Sequence, residues 1–206
     1  VKEVEYIENI SNAYTIEDDY DMIDRGSRLG DEFKSQYENR LKTYFARGNY
    51  RYEYVSNYFA GKTVNLNNIM GLLRSHKNNS LKLKRGLKSV CMHPGLFFKT
   101  ETTGSLIIEY INKKYMAWFT GTPAPCVSIY KPLFIQDDND FLFNDTEQVL
   151  EYSERWRELS GKCVNRHDFF LQEIKPLRDR IQRKVINIIF KDFTEKNEEE
   201  LLHNCQ

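Results

Sequence analysis

The apolar positions in the first third of the chain follow a strand period at first and a helical period afterwards. Residues 1–16 alternate in part between apolar and polar side chains, which predicts a strand. Over 27–46 the apolar residues recur at steps of three and four, which predicts a helix with one buried face that Gly48 ends. Two shorter helices are predicted over 50–60 and over 65–76, the second beginning at an asparagine N-cap.

The middle of the chain has the short β-rich runs that are typical of an antiparallel sheet. The two central runs are separated by only Asn112-Lys113, which predicts a hairpin. Sequential strands of this kind usually pair with their neighbours. The predicted strands cover 89–93, 102–111, 114–122 and 126–135.

The last third of the chain returns to a helical pattern. Helices are predicted over 145–159 and again over 165–202, where Pro176 should kink or break the helix because it has no N–H to donate. We treat 1–206 as part of a single domain, in which 165–206 is a helical C-terminal appendage. The order strand, helices, strands, helices predicts an α+β fold with helices layered on an antiparallel sheet.

Composition narrows the class of protein. The 206 residues include 30 basic and 30 acidic side chains, so the chain lacks the positive charge that nucleic-acid or anionic-membrane binding requires. Aromatic residues make up 14% of the chain, which is typical of a packed core and not of a disordered one. Four irregularly spaced cysteines do not form a disulfide framework, and they favour a reducing, cytoplasmic compartment.

The first residues carry no start signal. The chain begins Val1-Lys2-Glu3-Val4, with neither an initiator methionine nor a signal peptide. We therefore expect a processed subunit or a fragment of a longer polypeptide.

Two cysteine–histidine pairs have spacings that suit a metal site. Cys91 and His93 share one side of a predicted strand, and Cys163 and His167 share one face of a predicted helix. With Cys126 they supply enough ligands for zinc, but no Cys-x-x-Cys pair is present. The alternative is that these residues are buried cysteines and hydrogen-bonded histidines of the core, and both hypotheses stand at this point.

Three segments together carry a family resemblance. They are ISNAYTI (10–16), VCMHPG (90–95) followed by TTGS (102–105), and WFTGTPAPC (118–126) running into SIYKP (128–132). In this order they resemble the C-terminal half of the secernin and dipeptidase-A family. Those proteins are N-terminal-nucleophile (Ntn) hydrolases, related more distantly to penicillin and bile-salt acylases and to the acyltransferase of penicillin biosynthesis.

The resemblance implies a four-layer αββα sandwich and cleavage of a C–N amide bond. In that family a cysteine at the chain N-terminus attacks the carbonyl, and its own α-amine is the general base. Here the first residue is Val1, and no cysteine precedes Cys91. We therefore expect the nucleophile and the first strands to lie on a missing N-terminal segment or subunit, and this chain alone to be inactive.

The resemblance also assigns site residues. Asn12 matches the asparagine whose side-chain amide helps to form the oxyanion hole. Arg51, with Arg47 as the alternative, matches an arginine that lowers the pKa of the nucleophilic thiol. Thr102 and Thr103 are expected to line the substrate cleft.

No cofactor is implied by the resemblance, and the expected partner besides the missing segment is a small amide or peptide substrate. Hydrolysis and acyl transfer both stay open, as does a homo-oligomer. The alternatives to an enzyme are a non-catalytic interaction module of the same fold and a zinc-binding protein.

Overall fold

A computed structural model of the chain describes residues 39–77, 80, 82–95, 99–111, 114–133 and 146–195. Within them the structure is α+β, a small antiparallel sheet combined with helices. The elements in chain order are α1 (Arg40–Ala46), α2 (Gly48–Tyr58), α3 (Leu66–Leu73), β1 (Leu106–Ile111), β2 (Lys114–Phe119), β3 (Lys131–Leu133), α4 (Thr146–Asn165), α5 (His167–Phe169), a π-helical turn (Phe170–Ile174) and α6 (Lys175–Glu195).

The sheet has the strand order β1-β2-β3 and is antiparallel throughout. Ile111 pairs with Lys114, so the predicted hairpin is confirmed, and only two residues connect its strands. Phe119 pairs with Lys131 on the third strand. Because side chains alternate across each strand, this register fixes which residues share a face.

One face of the sheet is covered by helices. Trp118 is fully buried there, and its indole N–H donates to Glu109 at 2.8 Å. α3 and α6 pack over this face, so that both the third and the last helix contribute to one core. The buried members of this core are Leu66, Met70, Ile107, Met116, Trp118, Tyr130, Ile186 and Ile189.

The opposite face of the sheet is apolar but exposed. Its large side chains are between 39% and 70% exposed to solvent. The rings of Tyr110 and Tyr115 contact each other across the hairpin, with centroids 4.9 Å apart. This open sheet face consists of Leu106, Ile108, Tyr110, Tyr115, Phe119 and Leu133.

A second core lies beneath the irregular segments that precede and follow the hairpin. It draws Cys163 from α4 and Phe170 from the π-helical turn. Its buried members are Leu83, Cys91, Ala124, Cys126, Val127, Cys163 and Phe170. In the described ranges, none of the helices is both long enough and apolar enough to cross a membrane.

The helices agree with the sequence in kind and differ at their ends. α3 begins after an Asn65 N-cap as predicted, and the Asn65 side chain accepts a hydrogen bond from the N–H of Asn68 at 2.9 Å. Gly48, however, does not end the first helix. Arg47 takes the left-handed conformation (φ 55°) between the two helices, and Gly48 is the first residue of α2.

Two strand predictions are wrong in detail. Residues 89–93 form no strand, and two isolated bridges join His93 to Arg85 and to Gly86. The last predicted strand, 126–135, begins inside a turn, because the C=O of Ala124 accepts from the N–H groups of Val127 and Ser128. Within the described part of that segment, Lys131–Leu133 extend as β3.

Pro176 interrupts regular α-helix without ending the helical path. The five residues Phe170–Ile174 form a π-helical turn, after which α6 begins at Lys175. The N–H of Lys175 still donates to the C=O of Phe170, so the helical path continues up to the proline. The predicted break is therefore a local change of helix type.

Candidate metal centre

Four side chains from distant parts of the sequence meet in the interior. They are His76, Cys91, His93 and Cys126, and their ligand atoms all lie within 4.8 Å of one another. His93 Nε2 lies 3.1 Å from His76 Nε2, 3.3 Å from Cys126 Sγ and 3.9 Å from Cys91 Sγ. We call this set the Cys2His2 cluster.

His76 reaches the cluster from the end of α3. The helix ends at Leu73, and the chain then runs antiparallel to the segment that carries Cys91. Two contacts fix it there. The C=O of Ser75 accepts from the N–H of Cys91 at 3.0 Å, and the N–H of Lys77 donates to the Ser89 hydroxyl at 3.1 Å.

Cys91 and His93 are held by backbone contacts on both sides. The C=O of His93 accepts from the N–H of Gly86 at 3.0 Å. The N–H of Met92 donates to the Thr102 hydroxyl at 2.9 Å, and that hydroxyl donates to the C=O of Val90 at 3.3 Å. The irregular segment around Cys91 is therefore held by the Thr102 side chain and by the backbone of Gly86, and not by pairing with a second strand.

Cys126 occupies the turn that follows β2. The Ser128 hydroxyl stabilises this turn, since it accepts from Thr122 at 2.6 Å and reaches the carbonyls of Pro123 and Ala124, each at 3.2 Å. The carbonyl of Cys126 itself accepts a hydrogen bond from the buried guanidinium of Arg178 on α6. The cysteine is thus anchored to the last helix as well as to the hairpin.

The two thiols are electrostatically different. Burial opposes ionisation of Cys91, but its hydrogen bonds with Cys126, His76 and His93 outweigh burial and hold the pKa of its thiol well below the usual value. Burial, together with the neighbouring Cys91, raises the pKa of Cys126.

The cluster is closed to solvent. Cys91 and His93 are completely buried, and His76 and Cys126 are 4% and 1% exposed. His93 Nδ1 is buried and has no hydrogen-bond partner among the described residues. The polar contacts of the His93 ring are therefore made through Nε2. A cysteine next to a histidine suits nucleophilic chemistry, but here neither side chain is open to a substrate. What this donor set suits is a metal ion.

Arg51, one of the residues expected from the family resemblance, contacts the segment that carries Cys91 and His93. Arg51 is buried, and one of its nitrogens donates to the carbonyls of Ala46 and Leu87, each at 2.6 Å. It also lies 4.0 Å from the sulfur of Met92. These contacts give Arg51 a structural task, and its catalytic role stays a prediction. Arg47, the alternative, lies against the ring of Tyr44.

The two threonines differ from each other in their contacts and exposure. Thr102 is the residue that ties Val90 and Met92 together, while Thr103 is exposed. Arg51 and Thr102 thus both contact Met92. Asn12, the predicted oxyanion donor, lies outside the described residues.

The structure brings together three of the five residues that the zinc hypothesis named and leaves two apart. Cys91, His93 and Cys126 do converge, although Cys91 and His93 do so from an irregular segment and not from a strand. Cys163 lies in the second core, and His167 begins α5; neither belongs to the cluster.

His76 is the member of the cluster that sequence reasoning missed. No cysteine, histidine, aspartate or glutamate stands within four residues of it, so no motif marks it. The available signal was its place at the end of a predicted helix.

Comparison with protein-family models, with curated proteins and with solved structures finds no match to this chain.

Proposed function

We propose that this chain is the C-terminal portion of an amide hydrolase of the Ntn class, similar to dipeptidases and secernins. The observation that carries the proposal is the one-sided sheet. Helices cover one face of it, and large apolar side chains lie bare on the other.

Such a sheet would form one half of a helix–sheet–sheet–helix sandwich. Sheets that pack face to face bury the apolar side chains of both inner faces in a core about 10 Å thick. Large contiguous apolar patches are uncommon on monomeric proteins unless they bind something. The open sheet face is the surface on which a second sheet would pack.

The second and third of the segments that carry the family resemblance also support the proposal, because they contact each other; the first, 10–16, lies outside the described residues. The TTGS segment bonds to the VCMH segment through Thr102, whose C=O also accepts from the N–H of Ala124 in the TGTPAPC segment at 2.9 Å. The C=O of Ser105 accepts from the N–H of Thr120 at 3.1 Å. Residues that match one family motif set are therefore in mutual contact.

The attacking thiol is expected outside this chain. Among the described residues Cys91, Cys126 and Cys163 are all buried, so none of them meets a substrate. In the proposed enzyme a cysteine at the end of the partner segment attacks the amide carbonyl, and the amine leaves with a proton. Water or another amine then releases the acyl group. Asn12 would donate to the carbonyl oxygen as negative charge develops there.

A non-catalytic module is the second candidate, and the open sheet face favours it as well. In that case a partner covers the face for assembly, and no amide is cleaved. The two candidates differ in activity and not in architecture.

The test compares this 206-residue chain with the longer polypeptide that includes the residues encoded upstream of Val1. Both are assayed for amine release from dipeptides and from N-acyl amines. We expect activity only in the longer polypeptide, with loss of activity after iodoacetamide treatment and after substitution of its upstream N-terminal cysteine by alanine.

Cys163→Ser is the matched control. The Cys163 thiol is buried in the second core, and its substitution is expected to leave activity intact. A longer polypeptide that folds and binds its upstream half without cleaving any amide supports the non-catalytic module. A monodisperse 206-residue chain that needs no partner contradicts both candidates.

A further inference from the structure

The Cys2His2 cluster matches the spacing of ligands around a tetrahedral zinc ion. Zinc bonds of about 2.0–2.1 Å to nitrogen and about 2.3 Å to sulfur place two nitrogens about 3.3 Å apart, and nitrogen and sulfur about 3.6 Å apart. The corresponding distances here are 3.1 Å for the two histidine nitrogens and 3.3 and 3.9 Å from His93 to the two sulfurs. The three distances from His93 are thus close to those of a tetrahedral site, and all four ligand atoms lie within 4.8 Å of one another.

We propose that the chain binds one zinc ion between His76, Cys91, His93 and Cys126, and that this ion is structural. Two thiolates and two imidazoles are the donors that select zinc over calcium or magnesium, which prefer oxygen. The four protein ligands complete a tetrahedron and leave no position for water or substrate.

The chief alternative is a hydrogen-bonded core without metal. That core requires the four polar side chains to hydrogen-bond with one another, because the neighbouring side chains of Leu83, Val127 and Phe170 have no donor or acceptor. Only one of the two imidazole nitrogens facing each other at 3.1 Å can supply the proton between them. A metal ion gives every one of the four ligand atoms a partner at once.

The ion would join segments that have little regular structure to hold them. Three segments contribute to the cluster, and each makes few of the regular backbone hydrogen bonds of helices and sheets. They are the segment after α3, the irregular segment around Cys91 and the turn at Cys126. Cys126 and His93 are 33 residues apart in sequence, so a shared ligand sphere closes a long loop. Because metal binding is coupled to folding at such sites, the ion would order the whole region beneath the hairpin.

The experiment measures metal content by mass spectrometry in the full chain purified from zinc-supplemented medium. We expect one zinc per chain in the wild type and in Cys163→Ser, the matched buried-cysteine control. We expect at most a tenth of that in Cys91→Ser and in Cys126→Ser, with a lower melting temperature in both.

A second measurement does not depend on whether those variants fold. Replacing zinc by cobalt in the wild type should give the intense visible absorption of a tetrahedral cobalt–thiolate site. A wild-type chain with no stoichiometric metal overturns the proposal, as does full zinc retention in both cysteine variants. Neither measurement uses catalysis, so the result is independent of the amide-hydrolase proposal.

Discussion

Gln182 is the residue that binds the last helix to the strand region. Its side chain accepts from the N–H of Tyr130 at 2.8 Å and donates to the C=O of the same residue at 3.0 Å. It also accepts from the Arg74 guanidinium at 2.7 Å. One amide thus satisfies buried backbone that no neighbouring strand reaches, and it holds α6 in place at the same time.

Gln182→Ala should destabilise the protein strongly. The substitution leaves two buried backbone groups and one guanidinium bond without their partner, at about 1–3 kcal/mol for each buried group. We expect the free energy of unfolding in urea to fall by about 2–4 kcal/mol. Asn187→Ala, on an exposed position of the same helix, is the control and should change it by less than about 0.5 kcal/mol. Equal effects of the two substitutions would contradict the role given to Gln182.

Residue chemistry was only partly readable from the sequence. The pair Cys91 and His93 stood out because the two residues stand two positions apart, while His76 had no such neighbour. The place of His76 in the cluster depends on the contact between Ser75 and Cys91, a tertiary contact that no local pattern records. Spacing therefore marked Cys91 and His93, which share a segment, and gave no signal for His76.

At the scale of elements, α3 matters because it delivers His76 to the cluster and apolar residues to the sheet. Its start depends on Asn65, which caps the N–H of Asn68. Asn65→Ala should therefore lower the free energy of unfolding by about 1 kcal/mol. Asn67→Ala is the matched control, since this exposed residue lies inside the helix. Chemical denaturation of both variants checks this, and an unchanged stability for Asn65→Ala would show that the cap is not used.

Elements with long periodic patterns were predicted well, and short apolar runs were not. The hairpin and the helices α2 to α4 follow from turn spacing, caps and helical period. Residues 89–93 have strand-like composition, but their hydrogen bonds go to Ser75, Gly86 and Thr102. These partners lie in irregular segments elsewhere in the fold, so no strand pairs with 89–93. The turn at Ala124 likewise follows from contacts of the Ser128 hydroxyl and not from an apolar period.

At the scale of the whole molecule, the open sheet face should govern how the chain behaves in isolation. A bare apolar sheet tends to pair with a partner or with another copy. We expect the isolated chain to self-associate in sedimentation velocity, and the double variant Ile108→Thr/Tyr115→Thr to shift it toward monomer. Threonine keeps β propensity, so the hairpin should survive the change.

The control is the pair of substitutions Glu151→Gln and Arg155→Gln, at exposed positions away from the sheet. The two wild-type side chains form an ion pair on α4. These should leave the sedimentation profile unchanged. An isolated wild-type chain that is monomeric at every concentration would show that the open sheet face needs no cover.

The coordination of the proposed zinc ion is the most direct test of the account, because the Cys2His2 cluster joins the segment after α3, the segment around Cys91 and the turn at Cys126. X-ray absorption at the zinc edge of the purified chain should show two sulfur ligands at about 2.3 Å and two nitrogen ligands at about 2.0–2.1 Å. A spectrum with oxygen and nitrogen ligands alone would place the metal elsewhere and contradict the account.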